Sequence, residues 1–231
     1  MFRDREDGAG KLAAVLQEFK SRHPLILAIP RGGVVTGAVL ARELGGDLDV
    51  VLSRKLRAPD QPELAIGAIS EDGQVHLNRR TVEALGVTDE YLDEEKRHQL
   101  SEIARRKRLF RSVRPEVPIA GRTVIVTDDG IATGSTMMAA LQTVRPQRPR
   151  ELIVAVPVAP FDRLPAFEKC CDKIVCLHSP ADFWSVGQFY DKFPTVEDEE
   201  VVDFLKSFAP VEKAKSDALH GQCDHSTTAA S

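Results

Sequence analysis

The chain has 231 residues, of which 31 are Lys or Arg and 35 are Asp or Glu, with a formal net charge of -4. This length and charge balance are typical of one large globular domain and give no indication of nucleic acid or an acidic membrane as a partner. No apolar run approaches the roughly 18 to 20 residues that a membrane helix needs. The charged N-terminus lacks the apolar core of a signal peptide, so we expect a cytoplasmic protein.

Short apolar runs alternate with helix-like stretches, a pattern typical of parallel α/β folds. Most of these runs lack polar alternation, as expected for strands that are covered on both faces. The predicted strands span residues 25–29, 48–52, 123–127, 151–156 and 173–177, and the predicted helices span 7–20, 34–44, 134–144 and 162–169.

A long insertion interrupts this alternation after the second strand. Residues 54–63 contain two prolines and mixed charges, which predicts a loop. Residues 65–78 carry the turn sequence EDG between strand-like flanks, which predicts a hairpin. At the end of the chain, residues 211–231 have too few large apolar side chains to pack, so we expect a disordered tail.

A helix is predicted over residues 89–111, with Leu100, Ile103 and Phe110 near one face. It ends in the basic cluster RRKRLFR, residues 105–111, which could bind nucleic acid. The helix begins with acidic residues and ends with basic ones, and both arrangements complement the helix dipole. We therefore interpret the cluster as a solvated helix end or a subunit contact.

The cysteines fall into two groups with histidines nearby, and neither group has the spacing of a standard zinc site. These groups are Cys170, Cys171 and Cys176 with His178, and Cys223 between His220 and His225. We expect core packing for the first group and a place in the disordered tail for the second.

Residues 124–136, VIVTDDGIATGST, place two adjacent acids between a buried strand and a turn rich in hydroxyl groups. Asp128 and Asp129 would emerge at the carboxyl edge of the sheet, where open α/β sheets bind ligands. Two carboxylates can accept hydrogen bonds from the vicinal hydroxyls of a ribose. The helix start that follows offers unpaired backbone N–H groups to a phosphate. The alternative is a capped helix preceded by two solvated acids.

This stretch resembles the phosphoribosyl pyrophosphate (PRPP) binding motif of the type I phosphoribosyltransferase family. The resemblance implies a Rossmann-like α/β fold, with an open parallel five-stranded sheet, helices on both faces and a flexible loop or hairpin insertion. It also implies a small C-terminal hood at about 158–195 within a transferase domain of residues 1–210. Asp128 and Asp129 would hold the ribose hydroxyls. The 5-phosphate would lie on Ala132, Thr133, Gly134, Ser135 and Thr136.

Residues 29–33, IPRGG, resemble the family's pyrophosphate loop. Gly32 and Gly33 would let the backbone approach an anion closely, and Arg31 would supply bidentate donors. A strand-to-helix turn can use the same glycines without binding an anion. The resemblance further implies a cis peptide bond in this loop, for which Arg31–Gly32 is the candidate.

The implied reaction is a displacement at C1 of the ribose, with a Mg²⁺-bound pyrophosphate leaving. Arg54 and Lys55 lie where the family has a mobile loop, and they would neutralise the leaving group; a solvated loop would explain them equally well. Asp128 and Asp129 would favour positive charge on the sugar and contact the metal through the ribose and pyrophosphate. These four residues are the catalytic candidates. Family habit also implies a homodimer.

The acceptor stays open because two features conflict. The 6-oxopurine members of the family carry an aspartate at the position of Ala132, whereas adenine-type members have alanine there. Residues 182–193, DFWSVGQFYDKF, instead resemble the segment over the base in 6-oxopurine enzymes. Trp184 would then stack on the base and Asp191 would lie near the base and metal, although these aromatic residues could equally be core.

Two functions from different classes are therefore predicted. The first is a transferase that acts on a nucleobase or a similar nitrogen acceptor. The second is a non-catalytic protein of the same fold that senses PRPP or a nucleotide, since fold alone does not fix function.

Overall fold

A parallel sheet and a smaller antiparallel sheet organise the chain. The computed structural model describes residues 1–209, apart from the side chain of Glu63, so the predicted tail at 211–231 lies outside the described residues. The strands are β1 (Leu25–Ala28), β2 (Asp47–Val50), β3 (Ser53–Ala58), β4 (Gln61–Ser70), β5 (Val75–Leu77), β6 (Thr123–Thr127), β7 (Glu151–Val158) and β8 (Lys173–His178). The α-helices are α1 (Arg5–Val15), α2 (Gly33–Leu44), α3 (Arg79–Ala84), α4 (Asp89–Arg111), α5 (Ser135–Val144) and α6 (Asp198–Ser207).

The large sheet has the strand order β2-β1-β6-β7-β8, and all neighbouring strands are parallel. Along β1, Ile26 packs into one core while Leu25 and Leu27 pack into the other. This alternation arises because successive side chains point to opposite faces of a sheet that is covered on both sides. The predicted open five-stranded parallel sheet is confirmed, with strand ends within two residues of those predicted.

Helices cover both faces of this sheet. The core on one face includes side chains of α1, α2 and α6, and the core on the other face includes side chains of α5. The helix predicted over 162–169 is instead a 3₁₀ segment, Phe161–Ala166, whose Pro165 has no backbone N–H to donate. The helix predicted over 7–20 ends at Val15 and continues as a 3₁₀ segment, Gln17–Arg22.

The predicted loop at residues 54–63 is wrong, because these residues form most of β3, the turn after it and the start of β4, and the two strands pair as a hairpin. The prolines do not break the strands: Pro59 lies in the turn, beside Asp60 with a φ of 59°, and Pro62 lies near the start of β4. Strand β5 pairs with β4 to complete a three-stranded antiparallel sheet, which confirms the hairpin predicted over 65–78.

Helix α4 has the predicted bounds, and Ile103 and Phe110 on its apolar face are buried. Its basic end forms intramolecular ion pairs. Arg105 Nη1 lies 2.8 Å from Asp198 Oδ2, and the largely buried Arg111 lies 2.5 Å from Asp49 Oδ1. The interpretation as a solvated helix end is therefore wrong for Arg111.

Glu95 of α4 fixes the β3–β4 hairpin to the rest of the domain. Its carboxylate accepts bonds from the backbone N and Nε of Arg57, at 3.0 and 2.9 Å, and from Arg57 Nη2 at 3.0 Å. Gln99 Nε2 donates to the same carboxylate at 2.9 Å. Glu95 is 6% exposed, so these bonds replace the water that its charge would otherwise require.

Within residues 1–209, no helix combines the length and the apolar composition needed to cross a membrane.

Replacing Glu95 by alanine should loosen the hairpin from α4. Loss of a charge-assisted hydrogen bond costs about 1.5–3 kcal/mol, so the free energy of unfolding should fall by a similar amount. Hydrogen–deuterium exchange measured by mass spectrometry should become faster in β3 than in β6. Glu94→Ala, at an exposed position of the same helix, is the matched control. Unchanged exchange of β3 in Glu95→Ala would contradict the anchoring role.

Candidate active site

The loops after β1 and β6 meet at one edge of the sheet. Because these two strands are adjacent and parallel, their carboxyl ends lie side by side. The loop after β1, here called the glycine loop (residues 29–33), is joined to the end of β6 by a bond of 2.9 Å from Ile29 N to Thr127 O. The two predicted halves of the site are therefore neighbours.

The glycine loop packs directly against the two acids. A Cβ atom added at Gly32 would lie 2.0 Å from Asp129 Oδ2, and one added at Gly33 would lie 2.8 Å from Asp128 Oδ1. At distances this short, a side chain at either position would force the neighbouring acid to shift. The absence of side chains at these two positions thus makes room for the carboxylates. From the sequence alone, the glycines were expected only to let the backbone approach an anion.

The glycine loop contains a cis non-proline peptide bond, but at Pro30–Arg31 and not at the predicted Arg31–Gly32. The prediction is wrong by one residue. Gly32 already has helical dihedral angles, with φ -56° and ψ -37°, and caps α2.

Asp128 forms no ion pair with any cation in residues 1–209 that the structure describes. Its Oδ1 accepts a hydrogen bond of 2.8 Å from the backbone N of Asp129. Burial, followed by the negative charge of Asp129, raises the pKa of Asp128 well above its ordinary value of 3.8. A hydroxyl donor or a cation beside this carboxylate would stabilise its negative charge.

Asp129 is held by Arg5, a residue that the sequence analysis missed. Arg5 Nε donates to Asp129 Oδ2 at 2.7 Å, and Arg5 Nη1 donates to Pro194 O at 2.6 Å. The guanidinium carbon lies 3.7 Å from the centroid of the Phe193 ring, and Arg5 is only 7% exposed. No local pattern distinguishes Arg5 from the exposed charges around it, since its partner is 124 residues away.

The hood closes over the acids through a second contact to Asp129. Tyr190 Oη donates to the backbone O of Asp129 at 2.6 Å, and the Tyr190 ring stacks on Phe193 with centroids 5.0 Å apart. Burial raises the pKa of Tyr190, so the phenol stays a hydrogen-bond donor. Phe2 pairs with the same segment, as Phe2 N donates to Phe189 O at 2.8 Å. Tyr190 and Phe189 are therefore core residues.

Residues 132–136, here called the phosphate loop, connect the acids to α5. Gly134 adopts a φ of 84° and is the N-cap residue of α5, where it has no side chain to accept a bond from the helix. Thr133 Oγ1 accepts a long bond of 3.4 Å from the backbone N of Ser135. A cavity of about 180 Å³ lies here, lined by Asp128, Gly130, Ile131, Ala132, Thr133, Gly134, Thr136, Met137 and Val186.

The predicted cations lie in two different places. Arg54 and Lys55 belong to β3 and line a second cavity of about 380 Å³, together with Ile29 and Pro30 of the glycine loop. Arg54 Nε donates to Gln99 Oε1 at 2.9 Å. Arg31 does not line this cavity, and its Nη1 pairs at 2.7 Å with the exposed Glu197.

Trp184 and Asp191 do not line the cavity beside Asp128; the hood contributes Val186 there instead. Trp184 is 91% exposed, and its backbone N donates to Gln188 Oε1 at 2.8 Å. Asp191 is also exposed, while its backbone N donates to Phe2 O at 2.9 Å.

The sequence model of the phosphoribosyl transferase domain matches residues 5–194 of this chain. The chain belongs to the phosphoribosyl transferase domain family. The matched range includes α1 with Arg5, the glycine loop, both acids and most of the hood.

Relatives agree with this assignment. In Mycobacterium tuberculosis strains H37Rv and CDC 1551, two curated proteins whose names include the words phosphoribosyl transferase are 42% identical to this chain over 205 residues. The match covers 89% of this chain and 46% of each relative, so the chain spans about half their length. The crystal structure of TT1426 from Thermus thermophilus superposes with a TM-score of 0.84 at 40% identity, over 90% of this chain and 99% of that one.

Asp128→Asn should stabilise the protein at pH 8. A raised pKa means that the folded state holds a proton where the unfolded chain has lost it, so wild-type stability falls as pH rises from about 3.8 through the folded pKa. The amide removes this decline and can still accept the bond from Asp129 N. Each unit of pKa shift corresponds to about 1.4 kcal/mol. Urea denaturation of both proteins at pH 5 and pH 8 measures the difference.

Asp129→Asn is the matched control and should have the opposite sign. It leaves the buried Arg5 without its carboxylate, and breaking a buried ion pair costs about 3–5 kcal/mol. Two variants that shift stability in the same direction at pH 8 would contradict the assignment of charges at this site.

Gly32→Ala should destabilise the protein through overlap with the Asp129 carboxylate. The damage should be much smaller in an Asp129→Ala background, because the overlapping atoms are then absent. Gly10→Ala in α1 is the control, since an added Cβ there has no neighbour within 4 Å. Thermal unfolding of the wild type, the two single variants and the double variant forms the cycle, and equal costs of Gly32→Ala in both backgrounds would refute the contact.

Proposed function

We propose that this chain is a phosphoribosyltransferase, which transfers ribose 5-phosphate from Mg²⁺-bound PRPP to a nitrogen acceptor and releases pyrophosphate. The observation that carries the proposal is the meeting of the glycine loop, Asp128, Asp129 and the phosphate loop at one sheet edge. Residues 1–210 would form the transferase domain, with the hood at 158–195. We further propose a cytoplasmic protein, and a homodimer by family habit.

The acids and the phosphate loop are proposed to hold the sugar phosphate. Asp128, which has no ion-pair partner among the described residues, would accept hydrogen bonds from the ribose hydroxyls. Asp129 would also accept hydrogen bonds from the ribose hydroxyls, through Oδ1, because Arg5 donates to Oδ2. The 5-phosphate would meet the first N–H groups of α5, which suit an anion because they lack intrahelical partners and lie at the positive end of the helix dipole. Thr133, Ser135 and Thr136 would add hydroxyl donors.

Arg54 and Lys55 are proposed to bind the pyrophosphate, with Arg31 and the backbone of Gly32 and Gly33. Arg31 would exchange Glu197 for the ligand, at low cost because exposed ion pairs contribute only about 0–1 kcal/mol. In the reaction, the bond from C1 to the pyrophosphate oxygen breaks and its electron pair stays on that oxygen. The acceptor nitrogen bonds to C1 and releases its proton to water. The cations would stabilise the charge that develops on the leaving group.

The residues present fit Mg²⁺ that arrives with the substrate. Mg²⁺ prefers oxygen ligands, keeps several waters and is usually bound through one or two carboxylates together with substrate phosphates. No group of three or more acidic, His or Cys side chains in residues 1–209 forms a ready-made metal site. Asp128 and Asp129 would contact the metal through the ribose and pyrophosphate. Burial raises the pKa of Asp128, and a nearby cation would favour its charged form. Bound Mg²⁺ would supply charge neutralisation of the leaving group.

A nucleobase is the proposed acceptor. The exposed Trp184 offers an aromatic face from the hood, and Asp191 lies in the same segment. Neither residue lines the cavity at Asp128, so the proposed base site extends beyond that cavity.

A sensor of PRPP or of a nucleotide is the second candidate. One observation favours it: residues 54–63, at the position of the family's mobile loop, belong to a hairpin that Arg57 and Glu95 fix to α4. Such an anchored hairpin would serve ligand binding without the closure that protects PRPP from water.

Activity assays with PRPP, Mg²⁺ and a panel of bases distinguish the two candidates, with nucleotide and pyrophosphate both measured. We expect stoichiometric nucleotide and pyrophosphate with at least one base. Asp129→Asn should lower PRPP affinity roughly tenfold to a hundredfold, the range for loss of a charged hydrogen bond. Asp203→Asn, whose side chain is 77% exposed on α6, is the control and should bind normally. PRPP binding without product from any base would favour the sensor, and unchanged affinity in Asp129→Asn would remove the ribose assignment.

A further inference from the structure

The cavity beside the glycine loop is lined by cations from two elements. Arg54, Lys55 and Arg57 come from β3, and Arg106 comes from α4, inside the basic cluster that the sequence analysis set aside. Among the described lining residues, Glu102 is the one acid. This space is called the basic cavity below.

These cations are compensated to different degrees. Arg57 is paired with the carboxylate of Glu95, whereas Arg54 Nε donates to the neutral amide of Gln99. Arg106 Nε is buried and has no hydrogen-bond partner within residues 1–209. The nearby Asp198 accepts a bond of 2.8 Å from Arg105 at Oδ2, while its Oδ1 is buried without a hydrogen-bond partner among the described residues. Among the three arginines, Arg106 is the one whose Nε is buried without an acceptor in the described residues.

Leaving Arg106 in this position is costly without an anion. A buried donor without a partner loses its hydration, and a buried charge loses more. Burial lowers the pKa of Arg106, the negative charge of Asp198 opposes this effect, and the positive charges of Arg54, Arg105 and Arg31 add to it. A half-buried cation that lies among other cations in a cavity is a feature of functional sites.

The basic cavity adjoins the proposed substrate site. Thr136 lines both this cavity and the smaller cavity of the phosphate loop. Ile29 and Pro30 place the glycine loop on its wall. An anion in the basic cavity can therefore belong to the same molecule as a phosphate on the phosphate loop.

We propose that Arg106 binds the pyrophosphate group of PRPP, as a cation that α4 adds to those of β3 in the basic cavity. This inference rests on the proposed function and adds a binding residue to it. The planar guanidinium can donate two parallel hydrogen bonds to phosphate oxygens, and it stays protonated throughout. Arg106 would therefore discriminate ligands that carry the pyrophosphate from those that end at C1 of the ribose.

Isothermal titration calorimetry of the 231-residue chain with Mg²⁺ and PRPP, inorganic pyrophosphate or ribose 5-phosphate tests this assignment. Arg106→Gln should weaken PRPP and pyrophosphate roughly tenfold to a hundredfold and leave ribose 5-phosphate unchanged. Arg106→Lys should recover part of the loss, since it restores charge without the planar fork. Arg108→Gln, at an exposed position of the same helix, is the matched control and should bind all three ligands normally.

The outcomes separate this inference from the proposed function. If wild-type protein binds PRPP and Arg106→Gln binds it equally well, the role of Arg106 is refuted while the function stands. If Arg106→Gln loses affinity for all three ligands equally, together with a lower melting temperature, Arg106 is structural and the proposal fails. If wild-type protein binds pyrophosphate through Arg106 but not PRPP, the anion site stands and the transferase proposal fails. Binding of none of the ligands overturns both.

Discussion

The packing of two glycines against two carboxylates is the contact on which the rest of the site depends. Because Gly32 and Gly33 have no side chains, the loop after β1 can lie against Asp128 and Asp129 after β6. That approach buries the acids, and Asp129 then requires a cation, which Arg5 supplies from the start of α1. Tyr190 adds a bond to the backbone of Asp129. The N-terminus, the sheet edge and the hood are thereby joined at one residue.

Charge is distributed unevenly along this edge. At one end Asp128 has no ion-pair partner among the described residues, and at the other Arg106 Nε is buried without an acceptor within residues 1–209. Each position is unfavourable by itself, since a desolvated charge or donor lacks the interactions that water would provide. A ligand with hydroxyl donors at its centre and anionic groups at its ends is complementary to both positions. Stability is thus lower in the ligand-free protein than it would be with apolar residues there, as is common at functional sites.

Several features could not be predicted from local sequence. The charges and prolines of residues 54–63 suggest a loop, yet pairing with β4 and bonds from Arg57 to Glu95 make them strands, because tertiary contacts override local preference. The cis peptide bond lies at Pro30–Arg31, one residue before the predicted position. Arg5 and Arg106 were not predicted as site residues, because both are adjacent to other charges in sequence and differ from them only in what surrounds them.

The sequence by itself determined the parallel sheet and the location of the site. Continuous apolar runs specify strands buried on both faces, and the residues that follow such strands must meet at the carboxyl edge. The thirteen residues from Val124 to Thr136 also identified the family. Only the tertiary structure decided which charges are neutralised: Asp129 by Arg5, Arg31 by Glu197, and Arg57 by Glu95. The physical reason is that ion pairing and burial are set by distances between elements, and these partners are separated by 38 to 166 residues of chain.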